Sequence, residues 1–242
     1  GTRSPNRMPD LPGSPTTHPV SGMTFEQIWD LNARDSDENV FQFYRDQGAW
    51  SAFRQVVRHK DMTQYHLHLL MQVLQQGSTF CEYGCGVAPY TNSLLEVVDP
   101  SVPLTIYLSD VDCEHLTFGY WRAKNTIKRR NLQNVTLEKV VVVPGELPSY
   151  DKKLDAVMIF EVLEHVPSPL ATVGNLYEHM NPGAFLCENF IKHESNEGDS
   201  PDLYSAFLER EKYYMYLQDN FSLVGGNEEK KEPNQTRVWS KK

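Results

Sequence analysis

The chain has 242 residues, two fifths of them hydrophobic, which is enough apolar material to bury the core of one domain. A formal net charge of −9 repels polyanions, so nucleic acid is not the expected partner. No run approaches the roughly 18 apolar residues of a membrane span, the first residues lack the apolar centre of a signal peptide, and Cys81, Cys85, Cys113 and Cys187 show neither zinc-ligand nor disulfide-framework spacing, all of which fits a soluble, cytoplasmic protein without a membrane partner.

Residues 1–22 carry Pro5, Pro9, Pro12, Pro15 and Pro19 among Ser, Thr and Gly, and prolines at that density break every regular element, so the segment reads as a disordered tail. From Met23 the periodicity turns helical. Phe25, Ile28 and Trp29 share one face, Val40, Phe41 and Tyr44 a second, and Trp50, Phe53 and Val57 a third, which predicts a helical cap over 23–62. A further helix over 62–77 should stop at Gly77.

Strands are then expected at 79–82, 104–109, 136–143, 154–160 and 184–190, with helices at 91–98, 114–130 and 169–179 between them. That alternation is the signature of a mostly parallel sheet covered on both faces. At the end, "FSLVGG" and "TRVWSK" flank a polar loop with no helix between them, which predicts an antiparallel hairpin closing the sheet as strands six and seven. Tyr213, Tyr214 and Tyr216 fall on a helix before that hairpin, where tyrosines pack or line an acceptor pocket with Tyr44 or Trp50.

The first strand runs into "CEYGCGVAPY". Gly84 and Gly86 make a turn that lets a ligand approach the backbone and meet a helix N-terminus. A dinucleotide fingerprint asks for a further glycine three residues on, where this chain has Pro89. Glu82, at the strand tip, would repel a diphosphate and suits a ligand with an ammonium or sulfonium charge. Asp110 follows 28 residues later at the end of the second strand, placed to accept from both ribose hydroxyls, with Asp112 as a weaker alternative.

Together, "EYGCGVAPY", Asp110, "VVVPGELP" and "LDAVMIFEVLEHVPSP" resemble, in order, the motifs of the Rossmann-like, class I S-adenosylmethionine-dependent methyltransferases over 65–240. The resemblance implies a methyltransferase domain over 63–242 with a seven-stranded α/β sheet and S-adenosylmethionine as cofactor. It implies that Glu82, Gly84 and Gly86 line the methionine moiety, and Asp110 and Val111 the ribose and adenine edge. Gly145 and Glu146 would then lie near the adenine, and Phe160 and Glu161 beside the sulfonium. The family often carries a third glycine after the pair, where this chain has Ala88 and Pro89.

"EVLEHVPSP", after the fourth strand, is similar to the string of ubiquinone-biosynthesis O-methyltransferases and also of small-RNA 2′-O-methyltransferases, in which such a group holds a divalent cation. Three roles stay open for it. His165 shapes the cofactor pocket; or it acts as general base with Glu164 orienting it; or Glu161, Glu164 and His165 bind a divalent metal, with His193 as a distant fourth ligand. The reading is methyl transfer to an oxygen or nitrogen of a small metabolite, with no metal required. A metal-assisted RNA 2′-O-methyltransferase is the alternative, and it would use the basic run Arg122, Lys124, Lys128, Arg129 and Arg130. A solvated helix face accounts for that run as well. The oligomeric state is not written in the sequence.

Overall fold

The computed structural model describes residues 21–58, 67, 70–72, 74, 77–190, 203–226 and 236–242. The tail expected over 1–22 lies outside them apart from its last two residues, as do most of the helix expected over 62–77 and His193. Three short helices come first, α1 (Phe25–Leu31), α2 (Asp37–Arg45) and α3 (Gly48–Arg58). Thr24 starts α1 with a reciprocal cap: its hydroxyl accepts from Gln27 N–H, and Gln27 Oε1 accepts from Thr24 N–H at 2.9 Å. Ser36 caps α2, whose first turn carries Asp37 and Glu38 and whose last carries Arg45, in the order the helix dipole favours.

Trp29, Val40 and Phe43 are the buried apolar anchors of α1 and α2, with Phe43 packed edge-on against Trp29 at 4.6 Å between centroids. The expected face of α3 needs correcting, because Phe53 is 58% exposed while Ser51 and Ala52 are buried. Small residues face inward there because α3 packs closely against a longer helix, α5 below.

The sheet follows: β1 (Thr79–Tyr83), α4 (Pro89–Val97), β2 (Leu104–Val111), α5 (Glu114–Arg130), β3 (Val135–Val142), β4 (Leu154–Ile159), α6 (Pro169–His179), β5 (Met180–Glu188), α7 (Tyr204–Asn220), β6 (Phe221–Gly225) and β7 (Arg237–Lys241). Its seven strands lie in the order β3-β2-β1-β4-β5-β7-β6, parallel through β5 and antiparallel across β5–β7 and β7–β6. This is the Rossmann-like α/β architecture expected. Every residue of β1 is buried, as a central parallel strand with both neighbours in place must be. Helices α4 and α5 pack on each other, as do α6 and α7.

One boundary moved by four residues. The strand expected at 184–190 begins at Met180, directly after α6, because Met180 pairs with Leu154 and a register shift between Leu154 and Ala156 absorbs Asn181, Pro182 and Gly183.

The hairpin is fastened by a buried charge cluster. Glu188, at the end of β5, accepts from Arg237 Nε at 2.6 Å, Arg237 Nη2 at 3.0 Å and Trp239 Nε1 at 2.9 Å. Arg237 and Tyr214 both donate to the Phe190 carbonyl, and the guanidinium stacks over the Tyr214 ring at 4.7 Å. Tyr213 and Tyr214 are thereby committed to packing. All four cysteines are buried and free, and burial pushes the Cys81, Cys113 and Cys187 thiols up to about 12, the state of packing residues rather than nucleophiles.

Candidate functional site

In an open parallel sheet the carboxyl ends of the strands, where the chain order reverses, form a crevice. Here the reversal falls between β1 and β4, and the turn at 84–86 sits at that point. Gly84 and Gly86 have φ of 62° and 49°, and Ala88 follows at 51°. At Gly84 an added Cβ would overlap the Val162 side chain. Ala88, fully buried, takes the left-handed position without glycine and hands over to Pro89 in the first turn of α4, where a missing N–H costs nothing. The absent third glycine is therefore replaced by an alanine in a strained conformation.

The turn is held from three sides. Asp110 Oδ2 accepts from Gly86 N–H at 2.6 Å, and Oδ1 from Val111 N–H at 2.7 Å. Burial raises the Asp110 carboxyl to about 6 while these two donors pull it down. Behind the turn, Gly119 of α5 lets the helix touch it, since an added Cβ would stand 2.8 Å from the Val87 carbonyl carbon and 3.0 Å from Gly86 O. One turn on, Arg122 Nη1 donates to Val87 O at 3.2 Å. Neither role was read from the sequence, although a glycine inside a 17-residue helix is itself a signal of close packing.

Of the basic run, Lys124, Lys128 and Arg129 are exposed, as a solvated helix face requires, while Arg122 and Arg130 are half-buried and engaged. Arg130 donates to Leu95 O and Val98 O and Arg129 pairs with Glu96, which ties α5 to α4, while Lys124 lies over the Tyr120 ring of its own helix.

Glu82 is buried at the tip of β1, and its two oxygens accept from the N–H groups of Tyr90 at 3.3 Å and Thr91 at 2.8 Å. Its carboxyl caps α4, whose cap residue Ala88 has no side-chain acceptor. Burial pushes Glu82 up to about 7, against the pull of those donors. Gly145 and Glu146 stand in an exposed turn after β3, closed by Glu146 N–H to Val143 O at 3.2 Å with Gly145 at φ 74°, the type II geometry that Pro144-Gly145 favours. The pairing of Val111 with Val142 puts that turn beside Asp110 and Val111.

After β4, Phe160 packs on Tyr90 at 5.3 Å, and Glu161 adopts φ 55°, uncommon for a side-chain-bearing residue. Asn189, buried at the end of β5, makes this tenable: its Oδ1 accepts from Glu161 N–H at 2.9 Å, and its Nδ2 donates to Glu161 Oε1 at 2.5 Å. Nothing in "CENF" announces that pairing, which joins residues 28 positions apart. A 3-10 turn, Leu163–His165, comes next. The His165 ring lies 6.3 Å from Trp29 and 6.2 Å from Tyr44, so α1 and α2 bring aromatic side chains against it. His165 Nε2 stands 3.9 Å from Glu164 Oε1, the reach of an ion pair and too long for a hydrogen bond. Among the described residues, no three His, Cys, Asp or Glu side chains converge to hold a metal ion. None of the described helices is long and apolar enough to cross a membrane.

No curated protein matches the chain. Among solved structures, the magnesium protoporphyrin IX methyltransferase ChlM from Synechocystis PCC 6803 with bound SAH is similar over 83% of this chain and 96% of its own, with 15% identity and a TM-score of 0.57. An O-methyltransferase family protein from Burkholderia thailandensis aligns over 90% of this chain and 67% of its own, at 13% identity and a TM-score of 0.55. The [4+2]-cyclase SpnF aligns over 79% and 75%, at 15% identity and a TM-score of 0.54. These likenesses concern the fold. The family model described as "Methyltransferase domain" matches residues 57–216, about two thirds of the sequence, from α3 into α7. The chain belongs to this methyltransferase domain family and is an S-adenosylmethionine-dependent methyltransferase.

Proposed function

We propose that this enzyme methylates an oxygen or nitrogen of a small metabolite, with His165 as the general base and the helical cap as the wall of the acceptor pocket. The observation that carries the reading is the position of His165, at the carboxyl end of β4 and against Trp29 and Tyr44. Aromatic side chains beside the base suit a small, flat acceptor. The string from Glu161 to His165 is similar to that of ubiquinone-biosynthesis O-methyltransferases, which puts a hydroxyl on an aromatic ring first among acceptors. The fold neighbour ChlM, named for a small-molecule acceptor, supports the same class.

The residues fit the cofactor. Gly84 and Gly86, at positive φ, keep the turn free of side chains between Val162 and Gln55, Asp110 stands at its rim, and the turn after β3 lies beside it. When bound, S-adenosylmethionine supplies a methyl group on a sulfonium, whose loss leaves a neutral thioether. What the chain adds is alignment and proton removal. His165 takes the proton of the attacking hydroxyl, and the adjacent Glu164 carboxylate stabilises the imidazolium that results. Asn189 fixes the backbone at Glu161, so the loop carrying the base cannot drift.

The fold also hosts other chemistry, as SpnF's name states, so the test is turnover. Incubation with S-adenosylmethionine and a panel of phenols, catechols and amines, read by thioether release and product mass, should give a methylated aromatic hydroxyl. His165→Ala should lower kcat by about 10²–10⁴ while leaving cofactor affinity intact. Methylation of RNA alone, or full activity in the variant, would overturn the proposal.

A further inference from the structure

The third cap helix reaches the cofactor cradle itself. At its start, the Ser51 backbone is hydrogen-bonded to the buried His115 in the first turn of α5. One turn later Gln55 lies over the glycine turn. A Cβ on Gly86 would stand 2.5 Å from Gln55 Oε1 and 3.8 Å from Nε2, so the carboxamide covers the face that the missing side chain leaves open.

Glu82, whose charge suits a cationic ligand, is buried against the helix: its oxygens accept from Tyr90 and Thr91 N–H, and the residue is 3% exposed. An amino-acid tail settling on this turn carries an ammonium and a carboxylate, and it needs an acceptor and a donor from another source. A carboxamide presents both, the oxygen accepting and the nitrogen donating.

We propose that Gln55 is a cofactor-binding residue contributed by the cap, its Oε1 accepting from the ammonium and its Nε2 donating to the carboxylate of the cofactor's amino-acid tail. This rests on reading the turn as the seat of the methionine end. It also links the two halves of the site, because α1 and α2 wall the acceptor side while α3 grips the cofactor.

Calorimetric titration of the full chain separates this role from mere packing. The probes are S-adenosylhomocysteine, with the tail, and 5′-methylthioadenosine, which keeps the nucleoside and thioether and lacks it. Gln55→Ala should weaken S-adenosylhomocysteine about tenfold, the worth of one or two hydrogen bonds, and leave 5′-methylthioadenosine unchanged. Gln55→Leu, which keeps the bulk and removes both hydrogen-bonding atoms, should weaken the first ligand at least as much and again spare the second. Equal losses for both ligands would make Gln55 a packing residue, and no loss would remove it from the site; either result overturns the assignment. If the wild-type chain binds neither probe, the reading of the turn falls as well. If it binds both and Gln55→Ala alters neither affinity, the turn stands and only this role is lost.

Discussion

Replacing Glu82 with glutamine separates the charge of this buried residue from its shape. The folded chain raises the carboxyl from 4.5 to about 7, chiefly by burial, with the Tyr90 and Thr91 donors opposing. Between those pH values the native state holds a proton that the unfolded chain has released. The associated stability is therefore fully present below pH 4.5 and is lost as pH rises through 7, a change of about 3 kcal/mol. Glutamine removes that dependence. It also has one acceptor oxygen where Glu82 uses two, so one N–H of α4 goes unmet at a pH-independent cost of about 1–3 kcal/mol. Denaturation of both proteins at a series of pH values from 4.5 to 8 should show Glu82→Gln clearly less stable at the acid end. The gap should close by about 3 kcal/mol, roughly 6–12 °C in Tm, at the alkaline end. Taking the difference cancels Asp110 and His115, which titrate in both proteins. Two parallel curves would refute the argument, since they would mean that Glu82 is not strained by its burial.

Gly119→Ala should cost about 1–3 kcal/mol in a denaturant titration and weaken S-adenosylmethionine binding, because the added methyl meets the backbone of Val87 and Gly86, which cannot rotate away. Asn189→Ala leaves the Glu161 N–H without its partner and its left-handed backbone without support, so kcat should fall while a thermal melt drops by about 1–3 kcal/mol. Arg237→Ala strands the Glu188 carboxylate in the interior and should destabilise by about 3–5 kcal/mol by chemical denaturation, whereas the apolar double replacement Glu188→Leu with Arg237→Met should cost less.

The parts of the site that were legible in the sequence obey local rules. Gly84 and Gly86 follow a strand and precede a helix because only glycine permits that backbone path, and Asp110 ends the neighbouring strand, so adjacency in the sheet brings it to the turn. The β-α alternation and the hairpin "TRVWSK" gave the sheet, though not that β7 would lie inside β6. What stayed hidden depends on pairs distant in sequence. Gln55 meets Gly86, Gly119 meets Val87, Asn189 meets Glu161, and Arg237 meets Glu188, each across at least 28 residues. Phe53 misled for a related reason: helical spacing marked a face, but the close approach of α3 to α5 selected the small residues beside it. Arg122 and Arg130 read as part of a surface run because one chain segment cannot show that backbone carbonyls of the glycine turn and of the end of α4 wait opposite.

The central claim, that the crevice at the carboxyl ends of β1 and β2 seats S-adenosylmethionine, is tested most directly by calorimetric titration of the wild-type chain and of Asp110→Ala. One site per chain for S-adenosylmethionine and for S-adenosylhomocysteine, weakened at least about tenfold in a variant that still melts cooperatively, is the predicted result. Failure of the wild-type chain to bind either nucleoside, or undiminished binding by Asp110→Ala, would contradict it.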